Sequence, residues 1–172
     1  MKRIIIIFLI YIFQFNFANA NTTIAYIDMD KTISTSQPGF YIISQLKDIN
    51  LKNSKMLENN AKKLKEKETK LISQKNILSE LDFQTNFDKL KLEIQNYNVN
   101  REKINNDFKK LRIDSTNELL KLINPILSNF SNDKSISLIL NKKDLVIGKK
   151  EFDITDEIIK IVNNEIKKFK IQ

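Results

Sequence analysis

Residues 57–78 read LENNAKKLKEKETKLISQKNIL, and a leucine returns at every seventh position, at Leu57, Leu64, Leu71 and Leu78. Ala61 fills an intermediate step of the repeat, Glu68 and Lys75 interrupt the next ones, and most other positions are Lys, Glu, Asn or Gln. One narrow apolar stripe with alternating three- and four-residue steps is the seam of a helix that packs against a single other helix. The partner is predicted to follow at once. Ser79-Glu80-Leu81-Asp82 resembles a capping box, in which the serine hydroxyl satisfies a free N–H three residues on and an acidic side chain reaches back. Beyond it, Phe87, Ile94, Arg101 and Phe108 form one seven-residue series, and Leu90, Tyr97, Ile104 and Leu111 form a second, three residues later. Two long helices with matching seams and a short joint fold back as an antiparallel hairpin. At ~1.5 Å per residue, a helix from Phe40 to about Asn76 reaches roughly 55 Å, which makes the hairpin an arm. Its sides are predicted to carry no second apolar stripe, and the seam residues are read as packing alone.

On the N-terminal side of the seam, Phe40, Tyr41, Ile42, Ile43, Leu46 and Ile49 come densely enough to predict a core-facing segment. Ser36-Gln37-Pro38-Gly39 supplies a cap candidate and a proline just before that run. Earlier still, TTIAYIDMD (22–30) reads as one short strand, with Ile24 and Tyr26 alternating against Ala25, Ile27 and Met29, and Asp30 as the cap of a following helical turn. On the C-terminal side, apolar density rises again in Leu119, Leu120, Leu122, Ile123, Ile126, Leu127 and Phe130. Asn124-Pro125 either kinks this helix or starts a new turn. SISLIL (135–140) and DLVIG (144–148) read as two more short strands, and EFDITDEIIKIVNNEIKKF (151–169) as a closing amphipathic helix. Asp153, Thr155, Asp156 and Glu157 suit its N-terminus, where negative groups complement the helix dipole. The expected fold is therefore mainly α with a small β part. Residues 21–50 and 113–172 form a body of short strands and flanking helices, and 51–112 form the arm. A sheet so small, with no cysteine for a disulfide, predicts a homo-oligomer joined through the body strands.

The first twenty residues have the three segments of a secretory signal peptide: Met1-Lys2-Arg3, the apolar run Ile4 to Phe13, and Ala18-Asn19-Ala20 as the cleavage site. A bilayer span needs roughly 20 largely apolar residues, and Gln14 and Asn16 break this run early. No cysteine is present to carry a lipid anchor. The reading is a soluble, exported protein starting at Asn21.

The chain holds 29 basic and 21 acidic residues. Removing Lys2 and Arg3 leaves 27 against 21, and residues 51–112 alone hold 15 against nine, so the whole excess of six sits on the predicted arm. The outside of a solvated helix pair needs only mixed charge, so the excess predicts capture of something anionic. Nucleic acid is the usual partner of such a patch, but export argues against it. Acidic unfolded proteins remain, as does contact with an anionic membrane surface. The candidate capture residues are Lys62, Lys63, Lys65, Lys67, Lys70, Lys75, Lys89, Lys91, Arg101 and Lys103.

Catalysis finds little support. Without His or Cys, the usual zinc ligands and nucleophile–imidazole pairs are missing, and two glycines cannot build a phosphate-cradling loop. Asp28 and Asp30 are better explained as a strand end and a cap than as paired catalytic carboxylates. Asp153, Asp156 and Glu157 lack the ligand spacing and turn glycine of a calcium loop. No enzyme, metal or cofactor is expected.

Three stretches together resemble the Skp/OmpH family of periplasmic chaperones: IAYIDMDKTISTSQPG (24–39), the lysine-rich hairpin turned at ILSELDF (77–83), and SLILNKKDLVIGKKEFDITDEIIKIVN (137–163), with FDIT (152–155) the most specific piece. The resemblance implies a trimer whose bodies join through a small β-barrel while three arms enclose a cavity. It implies an ATP-independent holdase that keeps unfolded outer-membrane β-barrel proteins soluble in the periplasm. Carried onto this chain, the interface between subunits would hold Ile24, Tyr26, Ile27, Ile136, Leu138, Leu140, Leu145 and Ile147. The competing reading is a structural or adaptor protein of the cell envelope, docking through an apolar patch between Leu78 and Phe87 that includes Leu81 and Phe83.

Overall fold

The computed structural model describes residues 23–167, 169 and 171; the predicted cleavage residues Ala18 and Ala20 lie outside them. Strand β1 (Thr23–Ile27) leads into α1 (Met29–Thr35), α2 (Gln37–Ser73), α3 (Glu80–Asp133), strand β2 (Ile136–Asn141), 3-10 turns at Lys142–Asp144 and Lys150–Phe152, and α4 (Thr155–Glu165). The chain is mainly helical with a small two-stranded sheet. The two strands run parallel, so the chain between them must return to its starting end, and α1, α2 and α3 together make that crossover.

The start of α2 shows how closely local sequence dictates the turn. Ser36 caps the helix, its hydroxyl accepting the Gly39 N–H at 3.4 Å, and Pro38 occupies the first turn, where a missing N–H costs nothing. Gly39 is required by packing. A Cβ there would lie 1.5 Å from the Ile33 carbonyl oxygen, because α1 ends against this turn. Ser79 caps α3 in the same way, its hydroxyl accepting the Asp82 N–H at 3.1 Å, as the capping-box reading expects.

The core lies where the helices meet the sheet. Leu119, Ile123, Ile126 and Phe130 repeat at helical spacing along α3, and the first two are wholly buried. They pack with Ile42 and Leu46 of α2, Ala25 and Ile27 of β1, and Ile158 and Val162 of α4. Three long-range bonds fasten α4 over this core: the Asp28 N–H to Thr155 Oγ1 at 2.9 Å, the Gln37 N–H to Asn163 Oδ1 at 2.7 Å, and Lys31 Nζ to Asp156 Oδ1 at 2.7 Å.

Several expectations need correction. The opening strand stops at Ile27, and Asp28 rather than Asp30 caps the next helix, its carboxylate accepting the Lys31 N–H at 2.8 Å. The dense run on α2 is only half covered: Ile42 and Leu46 are buried, whereas Phe40, Tyr41 and Ile43 are exposed, because a helix offers one face to a core. Pro125 starts no new helix. It stands inside the single 54-residue α3, on the exposed side opposite the buried stripe. DLVIG (144–148) is not a strand here. One edge of β1 is taken by β2, and Asp153 bridges Tyr26 on the other, with the Ile154 N–H donating to the Tyr26 carbonyl at 3.0 Å. No edge of β1 is left for 145–148, so the sheet has two strands instead of three. Gly148 instead passes over the Tyr26 ring, where a Cβ would approach Cε1 to 2.7 Å. The same edge pairing delays the last helix, which runs from Thr155 to Glu165 and not from 151 to 169, since Asp153 is extended against β1 and the Ile154 N–H is spent on the Tyr26 carbonyl.

Candidate functional site

Beyond the core, α2 and α3 lie side by side in opposite directions. The Tyr97 hydroxyl donates to the Leu57 carbonyl at 3.3 Å, and Lys67 pairs with Glu93 at 2.6 Å, so residue numbers rise on one helix as they fall on the other. Leu71 and Leu90 are the buried centre of this seam. Leu57, Leu64, Leu78, Tyr97, Ile104, Phe108 and Leu111 are half-buried, and Phe108 and Leu111 reach the core itself. Ala61, Phe87 and Ile94 are exposed.

The positive charge is not spread evenly over the pair. Residues 51–64 and 96–112, the half nearer the core, hold nine basic and three acidic side chains; residues 65–95, the half around the turn, hold six of each. The ten candidate capture residues are all exposed. Lys65, Lys67 and Lys103 pair with Glu68, Glu93 and Asp107. Lys62, Lys63 and Arg101 form no ion pair among the described residues and stand on the positive half; Lys70, Lys75, Lys89 and Lys91 are likewise unpaired but share their half with equal negative charge.

The two sides of the distal half differ. On one side of the Leu71–Leu90 contact is a polar cleft of about 260 Å³ with Lys70, Gln74, Asn86 and Lys89 in its walls. On the other is an apolar groove of about 320 Å³, with Ile72 on α2 and Phe83, Phe87 and Ile94 on α3, and with Glu68 and Lys91 at its rim. The expectation that the sides carry no second apolar stripe is overturned there. The missed signal is only partly local: Ile72 sits next to the seam position Leu71, and Phe83, seven residues before Leu90, extends a seam series beyond its first member, so the seam widens to one side once the helices pair. Phe87 is 47% exposed and Ile72 63%, which a residue that only packs would not be.

In the body, the interface candidates divide. Tyr26 and Ile27 are buried within this chain, and Ile136, Leu140 and Leu145 are half-buried. Ile24, Leu138 and Ile147 are exposed, as are Val146, whose side chain touches almost nothing, and Phe152. A shallow cleft of about 470 Å³ runs between β2 and α3, with Ile27, Leu120, Leu127 and Leu138 in its wall.

Three of the acidic groups considered for chemistry, Asp28, Asp153 and Asp156, are occupied with structure. Asp28 caps α1 and lies 3.7 Å from Lys142, which is also 3.9 Å from Asp153. Asp153 accepts the Thr155 N–H at 3.0 Å. Asp156 is held below the usual carboxylate range by the hydrogen bond and charge of Lys31, and Lys31 is raised in turn by the same partner. Lys110 and Lys121 are raised by their own-helix partners Asp114 and Glu118. No helix of the described residues is long and apolar enough to cross a membrane.

A family model described as outer membrane protein (OmpH-like) matches residues 23–162. The fold is similar to the crystal structure of a candidate outer membrane chaperone (OmpH-like) from Caulobacter crescentus CB15, with a TM-score of 0.80 at 13% identity over 86% of this chain and 87% of that one. No curated protein matches the chain.

Proposed function

Because the chain belongs to the OmpH-like outer membrane protein family, we propose that it is an ATP-independent holdase chaperone, which binds unfolded outer-membrane β-barrel proteins and keeps them soluble on their way across the periplasm. The observation that carries this is the paired stretch of α2 and α3. It adds little to the core yet presents a long, exposed surface with six surplus positive charges. Such a surface attracts anionic chains from a distance, and a field of that kind raises the rate of encounter more than it fixes one bound pose.

In this reading residues 51–112 are the arm, 21–50 and 113–172 the body, and 1–20 a leader removed on export, leaving a soluble periplasmic protein without enzymatic activity. The body assembles as a homotrimer. Support comes from the exposed Ile24, Leu138, Val146, Ile147 and Phe152, and from a two-stranded sheet smaller than water usually tolerates. The 145–148 segment, outside the sheet of its own chain and with Val146 and Ile147 exposed, is the natural segment to offer a neighbour. The adaptor reading also has an observation in its favour, since the apolar groove lies where a docking patch was expected, at Phe83 and Phe87.

Light-scattering mass across a sizing column decides between them, using residues 21–172 mixed with a urea-unfolded outer-membrane barrel protein diluted into nucleotide-free buffer. The holdase reading expects a soluble complex whose mass fits one client in a small oligomer. A client that aggregates while this protein elutes alone would contradict it.

A further inference from the structure

The helix pair separates two chemistries along its length, and each asks for a different feature of a bound chain. Near the core the surface is positive, with Lys62, Lys63 and Arg101 unpaired among the described residues. Near the turn the charges balance, and the apolar groove opens beside the buried Leu71 and Leu90. A net charge of zero there gives no attraction for an anionic bilayer or a lone anion. A groove of about 320 Å³ between Ile72 on one helix and Phe83, Phe87 and Ile94 on the other admits one or two large apolar side chains. The two zones are continuous along the same pair of helices. Ten helical residues separate Lys62 from Ile72, roughly 15 Å, which about five residues of extended chain span.

We infer that the distal groove is a side-chain site for the client, taking an aromatic or large aliphatic residue of an extended segment whose acidic residue, about five positions away, lies against the positive half. This deepens the holdase reading and rests on it. Capture and retention then fall to different residues: charge sets how fast a client arrives, and groove burial sets how slowly it leaves. The substrate class follows: unfolded chains in which acidic and large apolar residues recur within a few positions, in preference to chains with either alone.

The test compares three proteins by stopped-flow binding of a urea-unfolded barrel protein at two salt concentrations: wild type, Phe87→Ser/Ile94→Ser, and Lys62→Gln/Lys63→Gln/Arg101→Gln. Both Phe87 and Ile94 are exposed, so the helix pair should survive their loss; Ile72→Ser, on the opposite wall, repeats the test should it not. The groove variants should release client about five- to tenfold faster, with association and its salt dependence unchanged. The charge variant should associate severalfold more slowly at low salt and release at the wild-type rate. Wild-type release from both groove variants, while wild type itself still holds client, would overturn the groove assignment and leave the holdase reading standing. A wild-type protein that holds no client would overturn that reading instead. If the groove variants keep client but lose binding to phosphatidylglycerol vesicles, the groove belongs to lipid and the inference is wrong.

Discussion

The body and the helix pair use the same residue types to opposite ends. In the body, Leu119, Ile123, Ile158 and Val162 are wholly buried, and α4 is bonded to the residues flanking α1. In the pair, one thin seam with only Leu71 and Leu90 fully covered holds two long helices together, and Phe87, Ile94 and Ile72 face solvent. Burial is what stabilises a fold, and what the pair leaves unburied is what a client can use. Its low local stability is the expected companion of binding many different chains.

The largest test of this contrast is truncation of a core residue in each region. Ile158→Ala should cost about 3–5 kcal/mol, the range for a fully buried isoleucine in a site with little room to collapse. Leu71→Ala should cost nearer about 1–2 kcal/mol, because its surroundings are half solvent and collapse more easily. Equal losses in urea unfolding would break the comparison. Next in size is Gly39→Ala, expected to cost about 2–3 kcal/mol as α1 is forced off the start of α2. The position is helical with no positive φ, so an ordinary helix would gain from alanine; an unchanged or raised midpoint would show that the Ile33 carbonyl moves freely.

These positions also show what could be read before the fold was known. The caps at Ser36 and Ser79 and the heptad seam are local: a hydroxyl three residues from a free N–H, or leucines on one helical face, specify their structure without distant partners. The strand assigned to 144–148 and the helix assigned to 151–154 failed for the opposite reason. Strand pairing depends on which edges are free, and both edges of β1 were taken by residues far away in sequence. The net charge of the arm was legible by counting. Its division into a positive and a neutral half was not, since that requires knowing which residues of α2 lie beside which of α3. The groove escaped because its α3 residues were counted only as seam, with Phe83 seven residues before Leu90 and Phe87 and Ile94 in the other series, while Ile72 is one residue off the pattern; only the pairing of the helices shows that the four line one exposed side.

Two smaller effects refine the picture of the body. Ser135, in the turn between α3 and β2, has a left-handed φ of 53°, which costs a non-glycine residue. Ser135→Gly should therefore raise stability by about 0.5–1 kcal/mol, read as a shift in urea midpoint with no change in slope. Smallest is the pH dependence of the Lys31–Asp156 pair, which clips α1 to α4. Asp156 titrates below its unfolded value, so its contribution is present above the ordinary carboxylate range and is lost as pH falls through the lowered folded value. Lys31 titrates above its unfolded value, so its share holds below the ordinary lysine range and is lost as pH rises through the raised one. Asp156→Asn should remove the acid-side part of that dependence and leave the melting profile at neutral pH almost unmoved, as expected of an exposed pair.

Hydrogen exchange of the protein with and without a bound unfolded barrel client tests the central claim most directly, because it reports each region of the same molecule at once. The account predicts slowed exchange confined to the paired stretches of α2 and α3, strongest around Leu71 to Ile94, with the amides of β1, β2 and α4 unchanged. Protection that appears in the strands while the helix pair exchanges as before would contradict it and place the client on the body.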